Sequence, residues 1–297
     1  VRILLVGAGG MLGAALLPAL ARAWPNAEIV TAGRETMAVE RPSSVLAHVV
    51  SVSPVLVVNA AAHTDVEAAE GDPGPAFAAN AELPGLLASA CRDLRAPLVH
   101  VSSTGCYGAW RDTAYDDYDQ PQPTTVHHRS KVAGERAVRE SGAEHLIVRT
   151  GWLFGGEAGH KKNFVFKRVM EAAGKDLMRS DPTQTGNPTF VEDLAATMLG
   201  AFLAGMRGTC NIVSGGSATR LDYVREIVRL SGLPCRVEAS EGGFARRARV
   251  SHNEAAVNMR LGLLGLDTMG SWQDGLSRYV DRLRGTSDWR DVTGGTL

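Results

Sequence analysis

The chain has 297 residues, 44% of them hydrophobic and 21% charged, with a net charge of −1. That length suffices for one large domain or two modest ones, burying roughly 75% of the unfolded surface. No basic field advertises a nucleic acid and no apolar run is long enough to span a membrane. The four scattered cysteines lack zinc-site or disulfide spacing, so no metal is expected and a reducing cytoplasm fits.

The opening stretch, VRILLVGAGGMLG, organises the rest. Val1 and residues 3–6 read as a buried parallel strand, with no secretory signal expected ahead of it. A turn bearing Gly7, Gly9, Gly10 and Gly13 follows, then an apolar helix over 14–24. Gly7 permits the tight turn, Gly10 lets the backbone approach a pyrophosphate, and Gly13 lets helix and strand pack closely. Pro18 falls inside that helix. An interior proline costs about 3 kcal/mol, so a kink or a shorter helix is expected.

A second strand over 28–32 ends at Gly33-Arg34. An acidic residue there would accept from the ribose 2′-hydroxyl of NAD, whereas an arginine suits the 2′-phosphate of NADP. Arg34 therefore points to NADP over NAD.

A helix over 43–53 and a third strand over 55–58 lead to Asn59-Ala60-Ala61-Ala62, whose small side chains leave room for a flat ligand. His63 and Thr64 follow. A polar segment with Glu67, Glu70 and Asp72 precedes a helix over 77–91 containing Asn80. The fourth strand, 98–101, ends at Ser102-Ser103-Thr104. This alternation argues for a doubly wound parallel α/β sheet.

Residues 105–125 read as a loop with Tyr107, Tyr115 and Tyr118, followed by a helix over 126–141 carrying Lys131 and a fifth strand over 146–149. Further helices are expected over 163–173, 191–203 and 221–230, and a strand over 210–213. The organisation expected is a dinucleotide-binding domain over 1–155 and a smaller, mainly substrate-binding lobe over 156–285 with segments returning to the first domain. The polar, glycine-rich tail from 286 is expected to be mobile.

Taken together, these segments resemble the extended short-chain dehydrogenase/reductases, and within them the dTDP-4-dehydrorhamnose reductase group. The resemblance is carried by GAGGMLG from Gly7, NAAAHTDVEAAE from Asn59, Asn80, HVSSTGCYG from His100 and RSKVAGE from Arg129. It continues with RTGWLFG from Arg149, Asn163-Phe164, DPTQTGNPTFVEDLA from Asp181 and SWQDGLSRY from Ser271. It implies a Rossmann sheet, a cytoplasmic enzyme and a nucleotide-sugar substrate, with no nucleic-acid or membrane partner and a homodimer as a possible assembly. It also assigns roles. Gly7, Gly9, Gly10, Met11, Leu12 and Gly13 would hold the pyrophosphate; Ala60, Ala61, Ala62, Thr64 and Asn80 would line the cofactor. Ser103 would hydrogen-bond the substrate carbonyl, and Lys131 would hold the nicotinamide ribose. Ser103, Thr104, Trp152, Asn163 and Arg246 would form the substrate set.

One departure from the family is serious; two lesser ones are the missing Asp of the run Ser102-Ser103-Thr104 and Ala38 at an acidic position after the second strand. The family's catalytic tyrosine lies four residues before the lysine, one helical turn away on the same face. Here that residue is His127. A histidine can do acid–base work, yet the nearby Lys131 would disfavour the imidazolium. Tyr107 is the alternative source of a displaced phenol, and water a third. The expected activity is NADPH-dependent reduction of a nucleotide-linked 4-keto-6-deoxyhexose. A nucleotide-sugar epimerase and a dinucleotide-binding homologue without catalysis stand as alternatives.

Overall fold

The computed structural model describes residues 1–241 and 246–294. β1 (Arg2–Val6) is buried on both faces: Ile3 and Leu5 enter one apolar cluster, Leu4 and Val6 another. That continuous apolar run is what a central parallel strand requires. α1 (Met11–Ala23) starts earlier than its apolar run suggests, because Gly10 takes the extended N-cap conformation. Pro18 does not end the helix. Leu12, Leu16, Ala19 and Leu20 are buried beneath it, and each large aliphatic side chain contributes about 1.5–3 kcal/mol. That outweighs the roughly 3 kcal/mol an interior proline costs.

β2 (Glu28–Ala32), α2 (Pro42–Val52) and β3 (Leu56–Asn59) follow. α3 (Val66–Gly71) and α4 (Pro73–Phe77) are short, each started by an aspartate: Asp65 accepts from the Ala68 N–H and Asp72 from the Gly74 N–H. The single helix expected over 77–91 is interrupted. A π-helical turn (Ala78–Glu82) precedes α5 (Leu83–Leu94). β4 (Leu98–Ser103) runs into a 3₁₀ turn (Thr104–Tyr107), and α6 (Val126–Glu140) leads to β5 (His145–Thr150).

The chain then makes β6 (Leu153–Phe154), α7 (Phe164–Ala173), β7 (Leu177–Ser180), β8 (Thr185–Gly186) and β9 (Thr189–Phe190). α8 (Val191–Leu203), β10 (Gly208–Asn211), β11 (Ala218–Thr219), α9 (Arg220–Ser231) and β12 (Arg236–Ala239) come next. α10 (Met259–Leu263), α11 (Trp272–Arg284) and α12 (Ser287–Thr293) complete the described elements.

Six parallel strands form the central sheet in the order β10-β5-β4-β3-β1-β2. α1 and α8 cover one face around Leu16, Val58, Leu194 and Met198; α2, α5 and α6 cover the other around Val49, Leu87 and Val138. The fold is thus the doubly wound α/β sheet expected, and residues after α7 return to it as α8 and β10. Among the described residues, three two-stranded pairs lie outside it: β6 with β9, β7 with β12, and β8 with β11. An aromatic core of Phe154, Phe166, Tyr223, Trp272 and Tyr279 sits among them.

The tail contradicts its expected mobility as far as it is described. α12 docks: Trp289 is 1% exposed and joins the aromatic core. A single large ring supplies the burial that apolar periodicity would have announced. The four cysteines are buried free thiols. Among the described residues no helix is long and apolar enough to cross a membrane.

Candidate active site

The carboxyl ends of β1, β3, β4 and β5 converge on one edge of the sheet, where ligands of doubly wound folds bind. At the end of β1, Gly7 takes φ +88°, and a Cβ there would lie 2.6 Å from the Ala61 nitrogen. At Gly13 a Cβ would lie 2.1 Å from the Gly7 oxygen. These two glycines are demanded by the protein's own backbone. Gly9 is different, with no atom of the described residues within 4 Å of its Cβ position. Gly10 caps α1 without a side chain, and the first turn holds no acidic residue. The N–H groups of Met11, Leu12 and Gly13 therefore precede the first intrahelical bond, from the Ala14 N–H to the Gly10 carbonyl at 2.9 Å. This cradle fits a pyrophosphate: unshielded donors, positive helix end, open approach. Ala60, Ala61 and Ala62 are half-buried opposite it, Thr64 is exposed, and Arg34 is exposed just past β2.

Asn80 is fully buried, and its side chain is committed within the protein. Its Oδ1 accepts from the His63 N–H at 2.9 Å, while its Nδ2 donates to the His63 carbonyl at 3.0 Å and to Ser130 Oγ at 2.9 Å. It clamps the loop after β3 onto α6. Close approach is possible because Gly134 has no Cβ; one there would meet the Asn80 carbonyl at 1.9 Å. Asn80 braces the loop after β3 from behind.

Ser103 ends β4, its Oγ accepting from the Gly105 N–H at 3.2 Å, and it faces a cleft of about 770 Å³. Behind it, Ser102 Oγ donates to Glu135 Oε1 at 2.6 Å, and Arg149 grips the same carboxylate through bonds of 2.9 and 2.7 Å. Burial alone would raise the Glu135 carboxyl; the bonds from Arg149, Ser102 and Arg139 win and hold it below the usual range. This buried ion pair fixes α6 against β4 and β5.

Lys131 is buried on α6, its Nζ donating to the Val101 carbonyl at 2.6 Å. Burial lowers the ammonium to about 8. His127, one turn earlier, is 7% exposed and does not line the cleft. Among the described residues its Nδ1 is buried without a hydrogen-bond partner. Burial, then His128 and Lys131, lower its imidazole to about 3, so it is neutral near pH 7. The residue at the family's tyrosine position is thus neutral and lies outside the cleft lining, which speaks against it as the acid.

Tyr107 fails as the displaced phenol too. It is fully buried beneath Arg149, stacked on Tyr115 at 4.8 Å, and its hydroxyl donates to Asn211 Oδ1 at 2.7 Å. Burial pushes the phenol above its ordinary range. Thr104 is buried with Oγ1 against Gly151, outside the cleft lining. Asn163 is likewise internal. It caps α7 by accepting from the Phe166 N–H at 3.0 Å and donates to the Tyr279 hydroxyl at 2.6 Å, away from the cleft.

The opposite wall carries charge. Trp152, just past β5, donates from Nε1 to Glu254 Oε2 at 2.8 Å. The Arg220 guanidinium covers its indole 3.4 Å from the ring centre, and Gly186 is small because a Cβ there would meet that ring at 2.4 Å. Arg220 Nε also donates to Gln184 Oε1 at 3.2 Å, and burial lowers its guanidinium to about 10. Lys162 Nζ donates to Thr64 Oγ1, and Arg246 stands at the rim. Among the described residues, Lys162, Arg220 and Arg246 form no ion pair with a carboxylate within 4.0 Å. Glu67 ties the wall to α3, accepting from the Arg247 N–H at 3.0 Å.

The structure thus brings together Ser103, Thr64, Trp152 and Arg246 of the expected residues. His128, Lys162, Gln184, Arg220 and Glu254 were not singled out. The pair His127-His128 and the run DPTQTG around Gln184 were the available signals; nothing local marks Arg220 or Glu254.

Comparison with known proteins gives the following. Residues 1–285 match the family described as RmlD substrate binding domain. A dTDP-4-dehydrorhamnose reductase of Mycobacterium tuberculosis is 33% identical over 288 residues, 93% of this chain and 91% of that protein. A crystal structure of a dTDP-4-dehydrorhamnose reductase from Clostridium acetobutylicum superposes with TM-score 0.90 at 27% identity, over 96% of this chain and 100% of that one. The same enzyme from Bacillus anthracis, in complex with NADP, gives TM-score 0.89 at 26% identity, over 95% of this chain and 99% of that one.

Proposed function

This chain belongs to the RmlD family of nucleotide-sugar reductases, and from that premise we propose that its cleft reduces the C4 ketone of a dTDP-linked 4-keto-6-deoxyhexose. It is an NADP-dependent oxidoreductase acting on a nucleotide-linked keto sugar. When bound, NADPH supplies the hydride to the carbonyl carbon. The glycine cradle and the α1 N-terminus take the pyrophosphate. Arg34 takes the 2′-phosphate. Lys131 reaches the ribose with the two N–H donors that its bond to Val101 leaves over. Ser103 Oγ–H donates to the carbonyl oxygen and orients the ketone. Lys162, Arg220 and Arg246 take the sugar nucleotide's diphosphate, and Trp152 packs on the sugar.

The observation that carries this reading is the shared cleft. Ser103, at the end of β4, faces the same cleft as three cations that, among the described residues, form no ion pair with a carboxylate within 4.0 Å. The test is NADPH oxidation with dTDP-4-dehydrorhamnose against the UDP-linked sugar. Ser103→Ala should lower kcat about 10²-fold, the usual loss of one preorganised donor. Arg220→Ala should raise KM and leave NADPH binding alone. Turnover that ignores Ser103, or a KM that ignores Arg220, would refute the assignment.

A further inference from the structure

Two adjacent histidines start α6, and the one that reaches the cleft is the second. His128 lines it together with Ser103 and Glu254, although the ring is only 5% exposed. Thr125 fixes it from two sides: Oγ1 accepts from the His128 backbone N–H at 3.2 Å and lies 3.1 Å from Nδ1. In the imidazolium Nδ1–H donates to Thr125 Oγ1, and Nε2 carries the second ring proton. Among the described residues Nε2 has no hydrogen-bond partner, while His127 Nδ1 is sealed in the protein.

Gly105 joins this ring to Ser103. A Cβ at Gly105 would stand 2.2 Å from His128 Nε2 and 2.1 Å from Cε1, so the ring edge occupies the place of the missing side chain. The Gly105 N–H in turn donates to Ser103 Oγ at 3.2 Å. Ser103 and the His128 ring edge are thereby both held against Gly105, and both line the same cleft.

We propose that His128, and not the residue at the family's tyrosine position, is the catalytic acid that protonates the substrate's carbonyl oxygen through Nε2–H. The proposal rests on the reductase reading above. As the carbonyl carbon gains the hydride, the C=O π pair moves to oxygen. The Nε2–H bond breaks, an O–H bond forms, and the imidazolium becomes imidazole. Solvent at the cleft mouth returns the proton.

Three charged or titratable groups bear on the ring. Glu254, from the segment across the cleft, favours the imidazolium. Lys131 on α6 opposes it, and the His127 ring packs edge-on at 4.9 Å. Burial holds free His128 below its ordinary value of 6.5. A diphosphate bound in the same cleft adds negative charge that favours protonation in the complex.

The test compares the parent with His128→Gln across pH, alongside NADPH binding by fluorescence and the His128 imidazole resonance by NMR. In the parent, kcat/KM should fall as pH rises through the free-enzyme value below 6.5. His128→Gln should lose about 10²-fold in kcat with KM little changed, lose that pH dependence, and still bind NADPH. Added imidazole should restore part of the rate. Thymidine diphosphate should raise the NMR pKa of His128 in the parent, a readout that needs no variant. Gly105→Ala, which displaces the ring without removing it, should also lower kcat. Unchanged kcat and pH profile in His128→Gln would overturn the proposal while leaving the reductase reading intact. So would loss of the pH limb in His127→Phe, or an imidazole that thymidine diphosphate does not shift. A parent that oxidises no NADPH with any 4-keto sugar nucleotide would overturn both.

Discussion

The β1–α1 loop and the start of α6 are both one short segment long and both face the same sheet edge, yet they are built differently. In the loop the chemistry is backbone: Gly7 and Gly13 are set by contacts of 2.6 and 2.1 Å that any Cβ would make. At α6 the chemistry is side chain: two neighbouring histidines differ because a helix turns about 100° per residue, sending His127 inward and His128 to the cleft. A site made of backbone depends on which residues are absent. A site made of side chains depends on where each one points.

The largest effect expected from breaking this comparison lies behind α6. Arg149→Leu leaves the fully buried Glu135 carboxylate with only Ser102 and the part-exposed Arg139 as partners, and breaking such a buried pair costs about 3–5 kcal/mol. The pH dependence follows from the sign of the shift. Glu135 is held below its ordinary value of 4.5 in the folded state. Its contribution is therefore complete above that value and is lost as pH falls through the folded one. The stability gap between parent and Glu135→Gln, read by denaturant melts, should narrow below pH 4.5. A gap that is constant with pH would show that the pair does not hold α6.

Comparable in size is the effect at α12. Trp289→Ala removes a buried ring, at about 3–5 kcal/mol, or on the order of 10 °C in Tm for a chain of this size. Unchanged melting would restore the mobile tail that composition suggested.

In the loop, Gly13→Ala should cost about 1–3 kcal/mol through overpacking and abolish measurable NADPH binding. Gly9→Ala should leave folding unchanged, because its Cβ meets no atom of the described residues. Calorimetry on the two variants separates a glycine needed by the fold from one open to a ligand; equal melting temperatures would erase that distinction.

The same division explains what could be read from the sequence. The sheet, the glycine turn and α8, found over the expected 191–203, follow from apolar runs and from residues whose absence of a side chain is itself the signal. Pro18 does not end its helix because its local cost is outweighed by burial of Leu16 and Leu20, a tertiary term. Trp289 misled because one ring in a seven-residue helix has no period. Tyr107 and Asn163 looked like site residues from their motifs, and both spend their polar atoms inside the protein. Arg220 and Glu254 were invisible because they meet across Trp152 from segments far apart in the chain.

The smallest effect sharpens the comparison from the cofactor's other end. Arg34 is a side-chain determinant placed at the edge of the backbone-made cradle, so it tests whether selectivity there is carried by a side chain at all. It is exposed after β2, where no acidic residue closes the strand. A guanidinium binds a 2′-phosphate by charge-assisted, often bidentate bonds, but water and salt weaken any exposed contact. Arg34→Ala should therefore weaken NADPH binding by roughly tenfold, at the low end for a hydrogen bond to a charged group. NADH, which has no 2′-phosphate, should be bound as before. The NADPH loss should shrink as salt rises. Titration of both nucleotides by fluorescence at two ionic strengths decides it. If both nucleotides weaken equally, Arg34 shapes the turn and not the selectivity, and the choice of NADP then rests on the backbone of the cradle like everything else on that side of the sheet.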